Sequence, residues 1–199
     1  KIFYGWWVVL GGAVISALSG GLNFYGFSAL FVPLSQEFGW NRSVLAGVFA
    51  LSRLEGGFLG PIEGILVDKF GPRLMMFIGI PVMGVGFIFL SQINSLFTLY
   101  LVYIGCITVG SGFGTFAPVS AAIANWFVKN RSKAFGFLMS GTGVGGAVLL
   151  PILGWWITTY GWRNSVIASG LLILIVGLPI ACIMRHRPEQ YGLLPDGDN

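Results

Sequence analysis

Charged positions divide this chain more sharply than any short-range alternation of apolar residues does. Residues 2–36 form an uncharged run of 35, residues 74–128 one of 55, residues 134–162 one of 29, and residues 164–184 one of 21. A helix crosses a bilayer with about 20 apolar residues, so the run of 55 holds two crossings. Its natural break is Ser91-Gln92-Ile93-Asn94-Ser95. Residues 43–67 are also of spanning length, although they contain Arg53, Glu55 and Glu63. Lipid offers no partner to free backbone N–H and C=O groups, so uninterrupted apolar runs of this length must be helical. The alternation of a transmembrane barrel strand is absent. The pattern therefore predicts six helices, over 4–34, 43–67, 74–91, 97–127, 134–159 and 164–184, in an all-α membrane protein.

Composition agrees. The chain is 55% hydrophobic and 9% charged, against about 25% charged in soluble domains. Cys106 and Cys182 lie inside apolar runs and read as small buried hydrophobes, not as a disulfide or metal pair. A single histidine, no Cys/His cluster, no nucleophile–base pair and no carboxylate dyad give no reason to expect a metal, a cofactor or an enzyme. The bases form no stripe, so nucleic acid is not an expected partner. The first apolar run exceeds a signal-peptide core of about 7–15 residues. Position 1 is Lys, so the natural start is expected upstream.

The bases also orient the chain. Lys1, Lys69, Arg73, Lys129, Arg131, Lys133, Arg185 and Arg187 fall on the side of the N-terminus, Arg42 and Arg163 on the other, and Arg53 within a span. By the positive-inside rule both termini are cytoplasmic, in a multi-pass protein of the inner or plasma membrane. Tyr4, Trp6, Trp7 and Trp126 fall at the inner interface, and Trp40 and Trp162 at the outer one, as an aromatic belt requires.

A shift of ninety residues superposes 56–64 on 146–154 and continues to Phe70-Gly71-Pro72-Arg73 over Tyr160-Gly161-Trp162-Arg163. Gly56, Leu59, Pro61, Ile62, Gly64, Gly71 and Arg73 recur identically. The echo fades in the first and fourth helices. Three helices repeated with inverted topology, over about 1–93 and 94–186, are a known transporter architecture. Small residues recur every fourth position at Ser52/Gly56/Gly60/Gly64, Gly12/Ser16/Gly20, Gly110/Gly114 and Gly141/Gly145, the pattern of close helix packing. Pro118 and Pro151 are expected to kink their helices.

The candidate chemistry centres on the second helix. Arg53 lies near the bilayer midplane, where it costs about 2.5–3.5 kcal/mol and must face the bundle interior or a wet cavity. Glu55 is about 200° away around the helix and Glu63 about 15 Å along it, so neither pairs with Arg53. A partner helix, a further domain or an anionic substrate must answer it. A guanidinium matches a carboxylate through two parallel hydrogen bonds. Glu55 is a candidate proton carrier, with a structural ion pair as the alternative. Glu63 is expected near the inner end, beside Asp68 and Arg73. Neutral hydrogen-bonding groups at mid-depth are Ser16, Ser19, Asn23 and Tyr25 in the first helix and Thr108, Ser111 and Thr115 in the fourth.

The turn Gly64-Ile65-Leu66-Val67-Asp68-Lys69-Phe70-Gly71-Pro72-Arg73 resembles the loop between helices two and three of the major facilitator superfamily of secondary transporters, Gly-x-Leu-x-Asp-Arg-x-Gly-Arg-Lys. Gly64, Leu66, Asp68 and Gly71 match. Lys69 replaces the first Arg, Arg73 fills the last basic position, and Pro72 departs. Three further stretches, Phe38-Gly39-Trp40-Asn41-Arg42-Ser43, Ser52-Arg53-Leu54-Glu55-Gly56-Gly57 and the tail from Arg187-Pro188-Glu189 to Gly197, are similar to the prokaryotic monocarboxylate-transporter and oxalate–formate-antiporter branch. The cluster 141–146 resembles the glycine-rich fifth-helix motif of exchangers without its Gly-Pro pair.

The resemblance implies that 1–186 is the N-terminal six-helix half and 187–199 the start of a cytoplasmic loop to a C-terminal half. It implies a small carboxylate substrate moved with a proton or in exchange, for which the mid-depth groups Arg53, Asn23, Tyr25, Ser111 and Thr115 are the candidate contacts. It implies a cytoplasmic gate at Gly64, Leu66, Asp68, Lys69, Gly71 and Arg73, in which Asp68 and Arg73 latch the other half. The buried Lys of animal monocarboxylate transporters is missing from the first helix, so that chemistry does not carry over. The basic substrate residues of oxalate–formate members lie in their second half. An exporter of neutral or drug-like compounds, a transporter-like sensor and a self-contained six-helix dimer remain as alternatives.

Overall fold

The computed structural model describes residues 3–197. Six helices are long and apolar enough to cross a membrane: α1 (Gly5–Ala29), α2 (Arg42–Phe70), α3 (Pro72–Leu90), α4 (Leu96–Trp126), α5 (Arg131–Tyr160) and α6 (Trp162–Ile183). Lys1, placed among the inner bases above, lies outside the described residues.

The first predicted helix is longer than the one found. α1 ends at Ala29, and a separate short helix follows over Phe31–Phe38. Pro33 removes one rung of the ladder there, because it has no N–H for the carbonyl of Ala29. Leu30 tightens the break by donating to the Phe27 carbonyl (3.1 Å). Elsewhere the predicted limits fall within a few residues of the observed ones.

Two glycine turns show the inverted repeat. Gly71 ends α2 and opens α3 with φ 86°, ψ 153°, and Gly161 ends α5 and opens α6 with φ 82°, ψ 158°. Both lie in a region that is essentially closed to residues with a Cβ. The α3–α6 contact is itself symmetric. Gly177 packs on Ile80, and Gly170 packs on Phe87, which are equivalent pairs under the ninety-residue shift. Around this axis α1 packs on α5 and α6, while α4 packs on α2 and α3.

The symmetry reaches the backbone of α1 and α4. Their middle turns widen to i→i+5 hydrogen bonding over Ser19–Tyr25 in α1 and over Tyr103–Thr108 and Gly112–Phe116 in α4. Shifting the α1 segment by ninety residues overlaps the last of these. Widened turns of this kind concentrate at functional sites. Hydroxyls serve carbonyls here: Thr115 donates to Ser111 O (2.6 Å) and Thr108 to Tyr103 O (3.1 Å).

Three of the four small-residue ladders pack as expected. Gly141 and Gly145 of α5 meet the backbone of Ala13 and Ala17, Gly12 and Gly20 meet Val119 and Thr142, and Gly110 and Gly114 meet α3 at Gly79, Ile80 and Met83. The ladder of α2 does not pack: a Cβ at Gly56, Gly60 or Gly64 would meet open space. The cysteines also differ from expectation. Cys106 is half-buried and Cys182 exposed on the outside of the bundle, where a small apolar thiol is compatible with lipid.

Each end of the bundle is tied. At the Gly161 end, Arg163 of α6 pairs with Glu37 (2.7 Å) and donates to the carbonyls of Ser91 and Ile93, while Trp162 Nε1 donates to Glu37. The Arg163 and Trp162 hydrogen bonds hold the Glu37 carboxyl below the usual range. At the Gly71 end, the tail turns back through Pro188–Tyr191 and Pro195–Gly197. Asp196 accepts from the backbone N–H groups of Val128 (2.8 Å), Lys129 (2.7 Å) and Asn130 (3.0 Å) at the start of α5. Burial pushes its carboxyl up, but the N–H donors of Lys129, Asn130 and Val128 and the Asn130 side chain together hold it below the usual range. An aromatic cluster of Tyr4, Trp6, Trp126 and Phe127 marks this same end.

Candidate functional site

A cavity of about 630 Å³ opens between α1, α2 and α4, with Met139 and Thr142 of α5 at its edge. The unpacked face of α2 forms one wall through Ser52, Gly56, Gly60 and Gly64. The widened turns of α1 and α4 form the facing wall, where Ser19, Ser111 and Thr115 make a hydroxyl cluster (Ser19–Ser111 2.9 Å). The absence of Cβ atoms on α2 is what leaves the space.

Arg53, Asn23, Ser111, Thr115 and Glu55 all line this cavity. Tyr25 does not; its ring lies against Gly146 of α5. Asn23 is engaged with the protein: Tyr103 of α4 donates to its Oδ1 (2.9 Å) and its backbone O (3.2 Å).

Arg53 rests on aromatic faces. Its guanidinium carbon is 3.6 Å from the centroid of Phe24 on α1 and 4.5 Å from that of Phe49, one turn back on α2. Such stacking contributes about 0.5–2 kcal/mol. It uses the face of the guanidinium and leaves the five in-plane donors available. Among the described residues no carboxylate pairs with Arg53 and no acceptor takes a hydrogen bond from it. The fork is positioned, unanswered, at the cavity wall.

Two carboxylates share the cavity. Glu55 has a buried oxygen, Oε1, without a hydrogen-bond partner. Glu63 is only 7% exposed. It does not join Asp68 and Arg73 as expected; it turns inward and lies against Gly112 in a widened turn of α4. A residue at Glu63 falls eleven positions after Ser52, about 20° around the helix, so the shared face was readable from the spacing. The aromatic seat of Arg53 and the role of Tyr103 carried no such signal, because both depend on how α1 and α4 meet α2.

Of the residues expected to form the gate, Gly64 lies in the wall of this cavity, while Asp68, Lys69, Gly71 and Arg73 lie at the Gly71 end. Gly71 makes the turn. Lys69 and Arg73 border a second cavity, while Asp68 is exposed and makes no ion pair with Arg73 among the described residues.

A six-helix inverted repeat with a polar cavity beside an unpacked helix face is the architecture of a membrane transporter half. The chain belongs to the Major Facilitator Superfamily, whose family model matches residues 13–198. It is 30% identical over 93% of its length to Monocarboxylate transporter 13 of Rattus norvegicus, covering 42% of that protein. It is 26% identical over 93% of its length to the Oxalate:formate antiporter of Oxalobacter formigenes, covering 44%. The Fujikurins efflux protein of Gibberella fujikuroi is 28% identical over 93% of this chain, with 39% of that protein covered. The chain thus spans less than half the length of these relatives.

Proposed function

We propose that this chain is the N-terminal half of a secondary active transporter that moves small organic anions, of monocarboxylate or oxalate/formate type, by alternating access. The observation that carries the reading is Arg53: a guanidinium seated on Phe24 and Phe49, facing a polar cavity, with its donors unanswered. A carboxylate satisfies that fork through paired charge-assisted hydrogen bonds. Ser111 and Thr115, with the Asn23 amide nitrogen, which donates to no partner among the described residues, supply neutral contacts opposite. Tyr25 contributes by bracing α1 on α5 at Gly146. Glu55 is the candidate for proton coupling, with exchange of anions as the other mode.

The second half closes the open side, docking where α2 shows no packed neighbour. The gate motif of Gly64, Leu66, Asp68, Lys69, Gly71 and Arg73 latches that half on the cytoplasmic side, with both termini there and the bundle in the inner or plasma membrane. Asp68, unpaired with Arg73, is available for such a contact. Residues 187–199 begin the connecting loop.

The likeness to an efflux protein supports a second reading, an exporter of a neutral or drug-like compound. Uptake by the full-length protein in proteoliposomes separates them. Labelled lactate, pyruvate, oxalate and formate are offered with a pH gradient, with counter-anion, and with neither. Saturable uptake of an acid supports the anion reading, and its driving condition identifies proton coupling or exchange. Uptake of none of them, with export of a neutral compound, overturns it.

A further inference from the structure

Arg73 and Arg163 stand at equivalent places in the two repeats, each two residues after its turn glycine, yet only one is answered by the chain. Arg163 has the Glu37 carboxylate at 2.7 Å and the carbonyls of Ser91 and Ile93. The position equivalent to Glu37 is Phe127, which is buried in the aromatic cluster. Arg73 therefore lacks the carboxylate its counterpart has. Among the described residues no acid is within ion-pair distance of Lys69, Arg73, Arg185 or Arg187.

These four side chains and His186 instead border a cavity of about 560 Å³ at the Gly71 end. The cavity is firmly built. Trp126 Nε1 donates to the Arg185 carbonyl (3.0 Å) and Asn125 Nδ2 to that of His186 (3.2 Å). The Arg185 guanidinium lies 4.2 Å from the Tyr4 ring centroid and 4.0 Å from that of Tyr191. His186 Nδ1 is buried without a hydrogen-bond partner. Burial and Arg187 hold this imidazole below its usual range, against the opposing pull of Asp68.

We propose that this pocket binds a phosphate-type anion, in the membrane the headgroup phosphate of an anionic phospholipid, which answers Arg73 at this end as Glu37 answers Arg163 at the other. Convergent arginines suit a phosphate because each presents a planar fork of donors. The depth suits a headgroup: Tyr4 and Trp6 are partly exposed and Trp7 exposed at the same end, as aromatic side chains at the lipid–water interface are. Clustered bases at the membrane surface favour anionic over zwitterionic lipid. The site is separate from the cavity of Arg53 and does not depend on what is transported, but it shares Lys69 and Arg73 with the proposed gate, so lipid and second half meet at one turn.

The test uses the full-length transporter, stripped of lipid in detergent. Dioleoylphosphatidylglycerol and dioleoylphosphatidylcholine are titrated and counted by native mass spectrometry. In parallel, diethylpyrocarbonate labelling of His186 is mapped by peptide mass spectrometry. The phosphatidylglycerol form binds about tenfold or more tightly, more weakly in high salt, and protects His186. Arg185→Gln/Arg187→Gln loses that preference, and Lys69→Gln/Arg187→Gln, whose changes are confined to exposed side chains, weakens it with folding intact. Protection by inorganic phosphate equal to that by lipid keeps the site and assigns it to a soluble anion. Equal retention of both lipids with no protection by either anion overturns the proposal. So does a His186 already shielded in the stripped protein and cross-linked to an acidic segment of the second half.

Discussion

Glu63 of α2 occupies the space into which a side chain at Gly112 of α4 would project. The two helices meet here through a buried carboxylate and a missing Cβ. The clashing atoms are the far end of a flexible side chain, so Gly112→Ala is expected to fold while pushing Glu63 aside. Its functional loss should overlap that of Glu63→Gln. A double-mutant cycle on the uptake rate is expected to show coupling of about 0.5–3 kcal/mol, the range for residues in contact. Strictly additive losses would mean that the contact does not serve transport.

Glycines of the same ladder pattern should behave oppositely on α5 and α2. A Cβ at Gly145 runs into the backbone of Ala17, whereas one at Gly56 meets nothing. Gly145→Ala is expected to force α1 from α5 at a cost of about 1–3 kcal/mol. Gly56→Ala should hold or raise stability by up to about 1 kcal/mol through helix propensity, while narrowing the cavity. Thermal unfolding of the two variants in the same detergent distinguishes them, and equal melting temperatures would contradict the packing described.

That contrast marks what the sequence makes legible. Charge spacing finds six spans because the energetic penalty for charge in lipid acts locally on each segment. The Gly71 and Gly161 turns announce the repeat because only glycine accepts their backbone conformation. The role of a small-residue ladder is not local. Gly56-x-x-x-Gly60 and Gly141-x-x-x-Gly145 are the same pattern, and only the neighbour decides whether the missing side chain admits a helix or leaves a cavity. For the same reason Arg53 is legible as a midplane charge while its seat on Phe24 and Phe49 is not; the inward face of Glu63 follows from its eleven-residue spacing to Ser52.

Acid should loosen the Gly161 end. The folded carboxyl of Glu37 titrates below its ordinary value, so its pairing with Arg163 stabilises above that value, about 4.3, and is lost as pH falls through the lower folded value. Both partners are more than a third exposed, so the contribution is at most about 1 kcal/mol. Melting temperature should fall between pH 6 and pH 3 by less in Glu37→Gln than in the parent. An identical fall in both would show that the pair does not contribute.

The tail is expected to protect the α4–α5 loop. Asp196 takes the N–H groups of Val128, Lys129 and Asn130, so Asp196→Ala should speed hydrogen exchange at these three amides and leave the centres of α3 and α6 unchanged. Unaltered exchange in the loop would show that the tail does not dock there.

The proposed role of Arg53 is to hold the substrate anion. Its most direct test is saturable carboxylate uptake by the full-length protein beside Arg53→Gln and Arg53→Lys, with melting curves confirming that each variant is folded. Arg53→Gln is expected to lose uptake by about tenfold or more, since a charge-assisted pair contributes about 1.5–3 kcal/mol, and Arg53→Lys to recover only part, because an ammonium cannot reproduce the planar fork. Undiminished uptake in a folded Arg53→Gln would contradict this role and make Arg53 a structural residue held by Phe24 and Phe49.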